Sequence, residues 1–242
     1  MSLKYLPRSA WNARASKGPT ALQSSGLRGI ALHYPGMGSR HLFAQADVAH
    51  ALRGWQDYHM DDRGWSDIAY QAAVDQAGRV WTLRGLTTRS GANGDATVNL
   101  QYGALLLVVG DTEAPTGAMI NSVRDVIADF RRLYPKATAI KPHSAVRPAG
   151  TSCPGNAVRS LIAAGQFEPR PAAPPIGGDM TPAQADVVVK AYALWSRLND
   201  LDVQIGVAKA KGDTATAAAL APFRSAVYED WQVATKNLEK IT

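Results

Sequence analysis

The chain is 242 residues long, 46% hydrophobic and 19% charged, with a formal net charge of +6. Such a length fits one large domain or one domain with a small appendage, and the composition excludes wholesale disorder. A single cysteine, Cys153, excludes a disulfide scaffold and any site made mainly of thiolates. The longest apolar run, residues 103–110 (GALLLVVG), is far short of the ~18 residues needed to cross a bilayer. The opening MSLKYLPRSAWNAR has no apolar stretch of the kind a signal peptide carries. Charge is unevenly spread. Residues 1–178 hold 19 Lys/Arg against 12 Asp/Glu, a balance of +7, and residues 179–242 hold 7 against 8, a balance of −1. A basic N-terminal part attracts nucleic acid, anionic lipid or acidic wall polymers alike. The lack of a Lys/Arg run or a nucleic-acid motif argues for no nucleic-acid partner.

In chain order, residues 27–34 (LRGIALHY) read as a strand and residues 43–58 as a helix. Residues 68–74 and 79–84 read as a strand pair joined by the turn at Asp75–Gly78. Residues 102–109 form a continuous apolar run, the mark of a buried strand. A helix over 121–134 places Val123, Val126, Ile127, Phe130 and Leu133 on one face. A short strand at 137–141 and a helix at 155–164, opened by Pro154, complete the first domain. This alternation predicts an α/β fold, a largely buried sheet flanked by helices.

The clearest seam is PRPAAPPIGG, residues 169–178, a Pro/Gly linker. It divides a domain at 1–168 from a helical hairpin at 179–242. Thr181 caps the first hairpin helix, with Pro182 at its first position. Val188, Tyr192, Trp195, Leu198, Leu201 and Ile205 follow at helical spacing, and Leu220, Phe223, Val227, Trp231, Ala234 and Leu238 repeat it after a turn at 211–213. Pro222 is expected to kink or restart the second helix. Two helices bury little area alone, so the hairpin is expected to pack on the first domain, to form a homo-oligomer through its apolar faces, or to bind a ligand such as the wall.

His33 ends the first strand, His143 follows the short strand, and Cys153 precedes a helix; such strand ends and loops are where sites on α/β sheets gather. Two imidazoles and one thiolate form a donor set that zinc accepts while keeping a fourth position open for water. On spacing alone, hydrogen-bonded core histidines and an inert buried cysteine remain the alternative. His41, His50 and His59 read as solvated side chains, and Asp57, Asp61 and Asp62 as a solvated loop and cap region.

Three motifs, taken together and in order, carry a resemblance. RSAWNAR at 8–14, GWSDIAYQAAVDQAGRVW at 64–81 and TSCPG at 151–155 are similar to the RSxWxAR, GWxDIxYxxxVxxxGxVY and TxCPG segments of the peptidoglycan recognition protein and type-2 N-acetylmuramoyl-L-alanine amidase family. The likeness covers about residues 8–165 and is strongest to bacteriophage endolysin amidase domains. It implies a mixed central sheet with flanking helices and Zn²⁺ held by His33, His143 and Cys153. It also implies catalytic roles for Tyr70 and Thr151, and hydrolysis of the amide between N-acetylmuramic acid and L-alanine in peptidoglycan. A non-catalytic peptidoglycan-binding protein of the same fold is the competing reading, and retention of Cys153 argues against it. Gly64 and Trp65 resemble the pair that goes with meso-diaminopimelate in the stem peptide, with Arg84 as the cation for its extra carboxylate. The chain departs from the family where GANGDATVN, residues 91–99, replaces GAHxxGxN. Asn93 then stands at a substrate-contact position, and the motif's asparagine is displaced. The resemblance also implies storage in the host cytoplasm before lysis, then action on the cell wall without membrane insertion.

Overall fold

A computed structural model describes residues 4–36, 42–111, 113–147, 150–169, 181–210 and 212–238. Contacts divide the chain into two compact units, Met1–Pro169 and Arg170–Thr242. Of the predicted linker, only Pro169 lies within the described residues, and His41 lies outside them.

The first unit is built on a six-stranded mixed sheet. Its strands are β1 (Tyr5–Leu6), β2 (Gly29–His33), β3 (Ala72–Asp75), β4 (Val80–Thr82), β5 (Tyr102–Val108) and β6 (Ala139–Pro142). They lie in the order β1-β4-β3-β5-β2-β6. Only β3 and β4 pair antiparallel; the other neighbours are parallel. Every residue of β2 is buried, and so is β5 after Tyr102. Alternation is lost because both faces are covered, as parallel sheets require.

Helix α1 (Gln45–Asp57) covers one face. Its Val48 and Leu52 join Trp11, Ala73, Trp81, Leu106 and Val108 in a buried cluster. Helix α3 (Gly117–Leu133) covers the other, burying Met119, Val123, Val126, Ile127 and Phe130. Gly103 allows that packing, because a Cβ there would lie 2.8 Å from the Phe130 ring. The remaining helices of the unit are α2 (Ala96–Gln101), α4 (His143–Val146) and α5 (Asn156–Ala163).

Two sequence motifs prove to be scaffold. Arg8 grips the buried Asp67 carboxylate in a fork, 2.9 Å to Oδ2 and 3.2 Å to Oδ1. Trp11 donates its indole N–H to the Thr82 carbonyl at 2.9 Å. The predicted elements hold with ends shifted by up to four residues; α3 begins at Gly117 rather than 121 because the Thr116 hydroxyl accepts the Met119 N–H at 3.1 Å. The acidic residues near 57–62 are solvated as expected, though Asp57 and Asp61 sit in helical turns rather than a loop, and both pair with Arg14, at 3.0 and 2.6 Å.

The second unit is a helical hairpin of α6 (Pro182–Ala210) and α7 (Thr214–Leu238). Pro222 neither ends nor restarts the second helix, which runs through it. Val188, Ala191, Leu198, Val203, Ala217 and Val227 are buried, and Arg224 bridges to Asp202 at 3.0 Å. Tyr192 and Phe223, from the two apolar stripes, are 46% and 62% exposed.

Candidate metal centre

Strand register brings the two histidines together. In the parallel β2–β6 pair, Leu32 stands opposite Pro142, so the next residue on each strand is a histidine. His33 ends β2, and His143 opens α4. Cys153 is latched beside both. Its carbonyl accepts the Ser144 N–H at 2.9 Å, and its Sγ accepts the Tyr34 N–H at 3.4 Å.

The three side chains are buried, and their ligand atoms lie within 4.8 Å of one another. His33 Nδ1 is 3.8 Å from Cys153 Sγ. Ligands at ordinary Zn–N and Zn–S distances in a tetrahedron sit roughly 3.3–3.8 Å apart, so the trio needs only a small contraction. His143 Nε2 is buried with no hydrogen-bond partner among the described residues. Such an orphan costs ~1–3 kcal/mol unless something binds it, so the donor set and the orphan nitrogen both fit zinc.

Burial sets the protonation states. It lowers His33 to about 3, helped by neighbouring His143, and lowers His143 to about 4, helped by Arg147. It raises the Cys153 thiol to about 12, against the opposing effects of the Tyr34 N–H and Arg159. The imidazoles are therefore neutral, as ligands must be, and the thiol needs a cation to become a thiolate.

Three more rings extend from the centre. The His33 and His143 centroids are 4.3 Å apart, and Tyr70 meets His33 edge-on at 5.4 Å. His59 lies 6.1 Å from Tyr70 and stacks on Trp65 at 4.9 Å and 18°. The Arg63 guanidinium lies over Trp65 at 5.6 Å. The floor thus runs from Trp65 to the metal ligands. Burial, and then the nearby Cys153, push the Tyr70 phenol well above its usual range, so it stays protonated.

His59 was expected in solvent and instead belongs to this floor. A single π-helical turn, Tyr58–Asp62, continues α1 and swings it inward. Its Nδ1 accepts the Ala69 N–H at 3.3 Å, and its carbonyl accepts the Trp65 N–H at 2.8 Å. Burial, Arg84 and Arg63 lower it to about 4. The sequence signal was available in YHMDD: a histidine eleven residues before Tyr70, beside Met60 at the end of a buried face that runs through Val48, Leu52 and Gln56.

The other predicted residues divide. Thr151 Oγ1 accepts the Cys153 N–H at 3.1 Å, which orders the ligand loop and leaves the hydroxyl hydrogen to donate. Gly64 has φ +67, and a Cβ there would meet nothing within 4 Å, so conformation rather than space explains this glycine. Trp65, Arg84, Arg89, Gly91 and Asp95 line a cavity of about 350 Å³. Arg84 was expected as a free fork for a carboxylate. Its guanidinium is instead committed to the carbonyls of Ile68 (2.5 Å), Arg89 (2.9 Å) and Asp67 (3.2 Å). Asn93 was expected to touch substrate. It is fully buried, and its Oδ1 lies 2.9 Å from His33 Nε2.

The fold and the buried donor set define a class of protein: a mixed-sheet α/β domain with a two-histidine, one-cysteine centre at the ends of parallel strands. No family model matches the chain. Its relatives in sequence are peptidoglycan-recognition proteins and N-acetylmuramoyl-L-alanine amidases. Peptidoglycan-recognition protein LB of Drosophila melanogaster is 29% identical over 154 residues, 63% of this chain and 64% of the relative. An N-acetylmuramoyl-L-alanine amidase of Sus scrofa is 26% identical over 160 residues, 64% of this chain and 26% of the relative. The chain therefore spans about two-thirds of the first and a quarter of the second. A variant of the Drosophila LB protein solved in complex with tracheal cytotoxin superposes with a TM-score of 0.59 at 25% identity, covering 70% of this chain and 99% of that one. The mixed sheet with flanking helices is the fold of these structures.

Proposed function

We propose that the first unit is a zinc-dependent N-acetylmuramoyl-L-alanine amidase, cleaving the amide between the lactyl group of N-acetylmuramic acid and L-alanine in peptidoglycan. One observation carries this reading: a buried His33, His143 and Cys153 cluster at the end of a floor of rings that includes Tyr70. Bound zinc supplies Lewis acidity that polarises an amide carbonyl and acidifies water. His33 and His143 stay neutral in their buried setting and so keep lone pairs for it. Tyr70, protonated throughout the working pH range, donates its O–H to the carbonyl oxygen as negative charge builds there. Thr151 donates a second, uncharged hydrogen bond from the ligand loop. Trp65, backed by the stacked His59, lines the adjoining cavity and offers it an aromatic surface for the sugar and stem peptide.

The chain acts as a phage endolysin, held in the host cytoplasm until the wall becomes accessible. Its basic first part favours an acidic wall. Gly64, Trp65 and Arg84 favour a meso-diaminopimelate stem, with Arg84 acting through its charge and its uncommitted N–H groups. The hairpin adds wall binding or self-association.

The test is zinc content and turnover of purified peptidoglycan, for the parent and for Cys153→Ser. The parent is expected to hold one zinc and release new L-alanine amino termini, and the variant to lose both. A parent that binds peptidoglycan without zinc or turnover replaces the amidase reading with a binding protein. Walls with meso-diaminopimelate and with lysine stems, compared side by side, test the substrate preference. Clearing of permeabilised cells by added protein tests the lysin role.

A further inference from the structure

The buried Asn93 carries an inference about which nitrogen of His33 faces the metal. Its amide orientation follows from its surroundings. Nδ2 lies 2.8 Å from the Tyr102 carbonyl oxygen, which only accepts, and 3.3 Å from Ser90 Oγ. The NH₂ group must therefore point there, leaving Oδ1 facing His33 Nε2 at 2.9 Å. Oδ1 cannot donate, so the ring hydrogen sits on Nε2. A neutral imidazole has one N–H, and Nδ1 is left with its lone pair, 3.8 Å from Cys153 Sγ.

The loop that carries Asn93 is itself fixed. Asn99 Oδ1 accepts the Asn93 N–H at 3.0 Å and lies 3.2 Å from Ser90 Oγ. Asp95 caps α2 by accepting the Val98 N–H at 2.8 Å. The next residue, Gly94, has φ +99, and a Cβ on it would lie 2.4 Å from Arg147 Cδ. Arg147 follows His143 by four residues and donates its N–H to the His143 carbonyl at 2.9 Å. One loop thus touches both histidine-bearing segments.

We propose that Asn93 is a positioning residue that fixes the Nε2–H tautomer of His33 and so presents Nδ1 as the metal ligand. This rests on the metal-centre reading above. The Tyr102 carbonyl orients the Asn93 amide, the amide oxygen holds the ring hydrogen on Nε2, and Nδ1 keeps its lone pair. Partners of this kind hold a ligating histidine in its ring orientation and raise its basicity, and their loss typically costs ~10–100-fold in metal affinity.

The experiment uses the full chain labelled with ¹⁵N on histidine, with the His33 signals assigned by their loss in His33→Gln. In metal-free protein, long-range ¹H–¹⁵N spectra are expected to show the Nε2–H tautomer. Added zinc is expected to shift Nδ1 and leave Nε2 protonated. An Nδ1–H tautomer, or zinc on Nε2, overturns the proposal. Chelator competition is the second measurement: Asn93→Leu, similar in size but without an acceptor, is expected to bind zinc ~10–100-fold more weakly. Parent-like affinity in that variant also overturns it. If the leucine variant does not fold, the tautomer of the parent decides alone. A parent with no zinc affinity refutes the metal reading instead, and the metal-free tautomer still separates the two questions.

Discussion

Asp67 is a buried polar anchor beside the site, and replacing it with asparagine tests the scaffold with almost no change in shape. Its Oδ1 accepts from Gln56 Nε2 at 2.6 Å and from the Ile68 N–H at 2.8 Å, while Oδ2 accepts from Arg8 at 2.9 Å. Asp67→Asn keeps an oxygen for Gln56 and Ile68 but sets an NH₂ against the Arg8 guanidinium. The loss is one charge-assisted hydrogen bond, ~1.5–3 kcal/mol, and Arg8 at 29% exposure keeps it in the lower half of that range. At ~2–4 °C per kcal/mol for a unit of this size, the melting temperature is expected to fall by ~3–9 °C. Thermal melts by circular dichroism on the parent, Asp67→Asn, Arg8→Met and the double variant form a cycle. Residues in direct contact should couple by at least ~0.5–1 kcal/mol. A melting temperature within about a degree of the parent, or strictly additive effects, refutes the view that this pair anchors the site. The Asp67 and Ile68 carbonyls also hold Arg84, so the destabilised variant should loosen the floor as well.

Tyr70→Phe should retain zinc by metal analysis and lose ~10²–10³-fold in turnover, the usual cost of an oxyanion donor; unchanged turnover removes Tyr70 from the chemistry. Metal-free protein should lose stability as pH falls. His33 and His143 stay neutral when folded down to about 3 and 4, whereas unfolded histidine protonates near 6.5, so protons favour the unfolded chain below that value. Each contributes ~1.4 kcal/mol per pH unit across the window, and melts in chelator at pH 7, 6, 5 and 4 should show a steady decline; a flat profile contradicts the burial argument. The exposed Tyr192 and Phe223 should drive self-association of the full chain, and Tyr192→Lys with Phe223→Lys should abolish it in sedimentation; a monomeric parent ends the oligomer proposal.

Much of this was readable from periodicity. The apolar run at 102–108, the face of Val123, Val126, Ile127 and Phe130, and the strand–turn–strand at 72–82 lie where the pattern places them. Missed elements are short ones, too brief to show a period. Two-residue β1 exists through pairing with Val80 and Trp81, and six-residue α2 through the Asp95 cap. At the centre, the three donor residues were legible as residue types at strand ends, but their convergence needed the β2–β6 register. His59 and Asn93 were misread for a common reason: their roles depend on where a π-helical turn and a buried loop aim a side chain, and a residue list holds no direction. In the hairpin, helical spacing located the apolar stripes but not which of their residues the two helices bury against each other: Val188, Leu198 and Val227 are buried, and Tyr192 and Phe223 are left exposed.

The ends of the sheet limit how copies of the chain meet. One boundary is β1, only two residues long, and the other is β6, four residues that carry Lys141 and stop at Pro142. A short rim bearing a lysine and closed by an imino acid offers a poor template for another strand. Association between molecules must therefore proceed by side-chain faces rather than by extending the ladder. A concentrated store of this protein should resist fibrillar growth from its sheet.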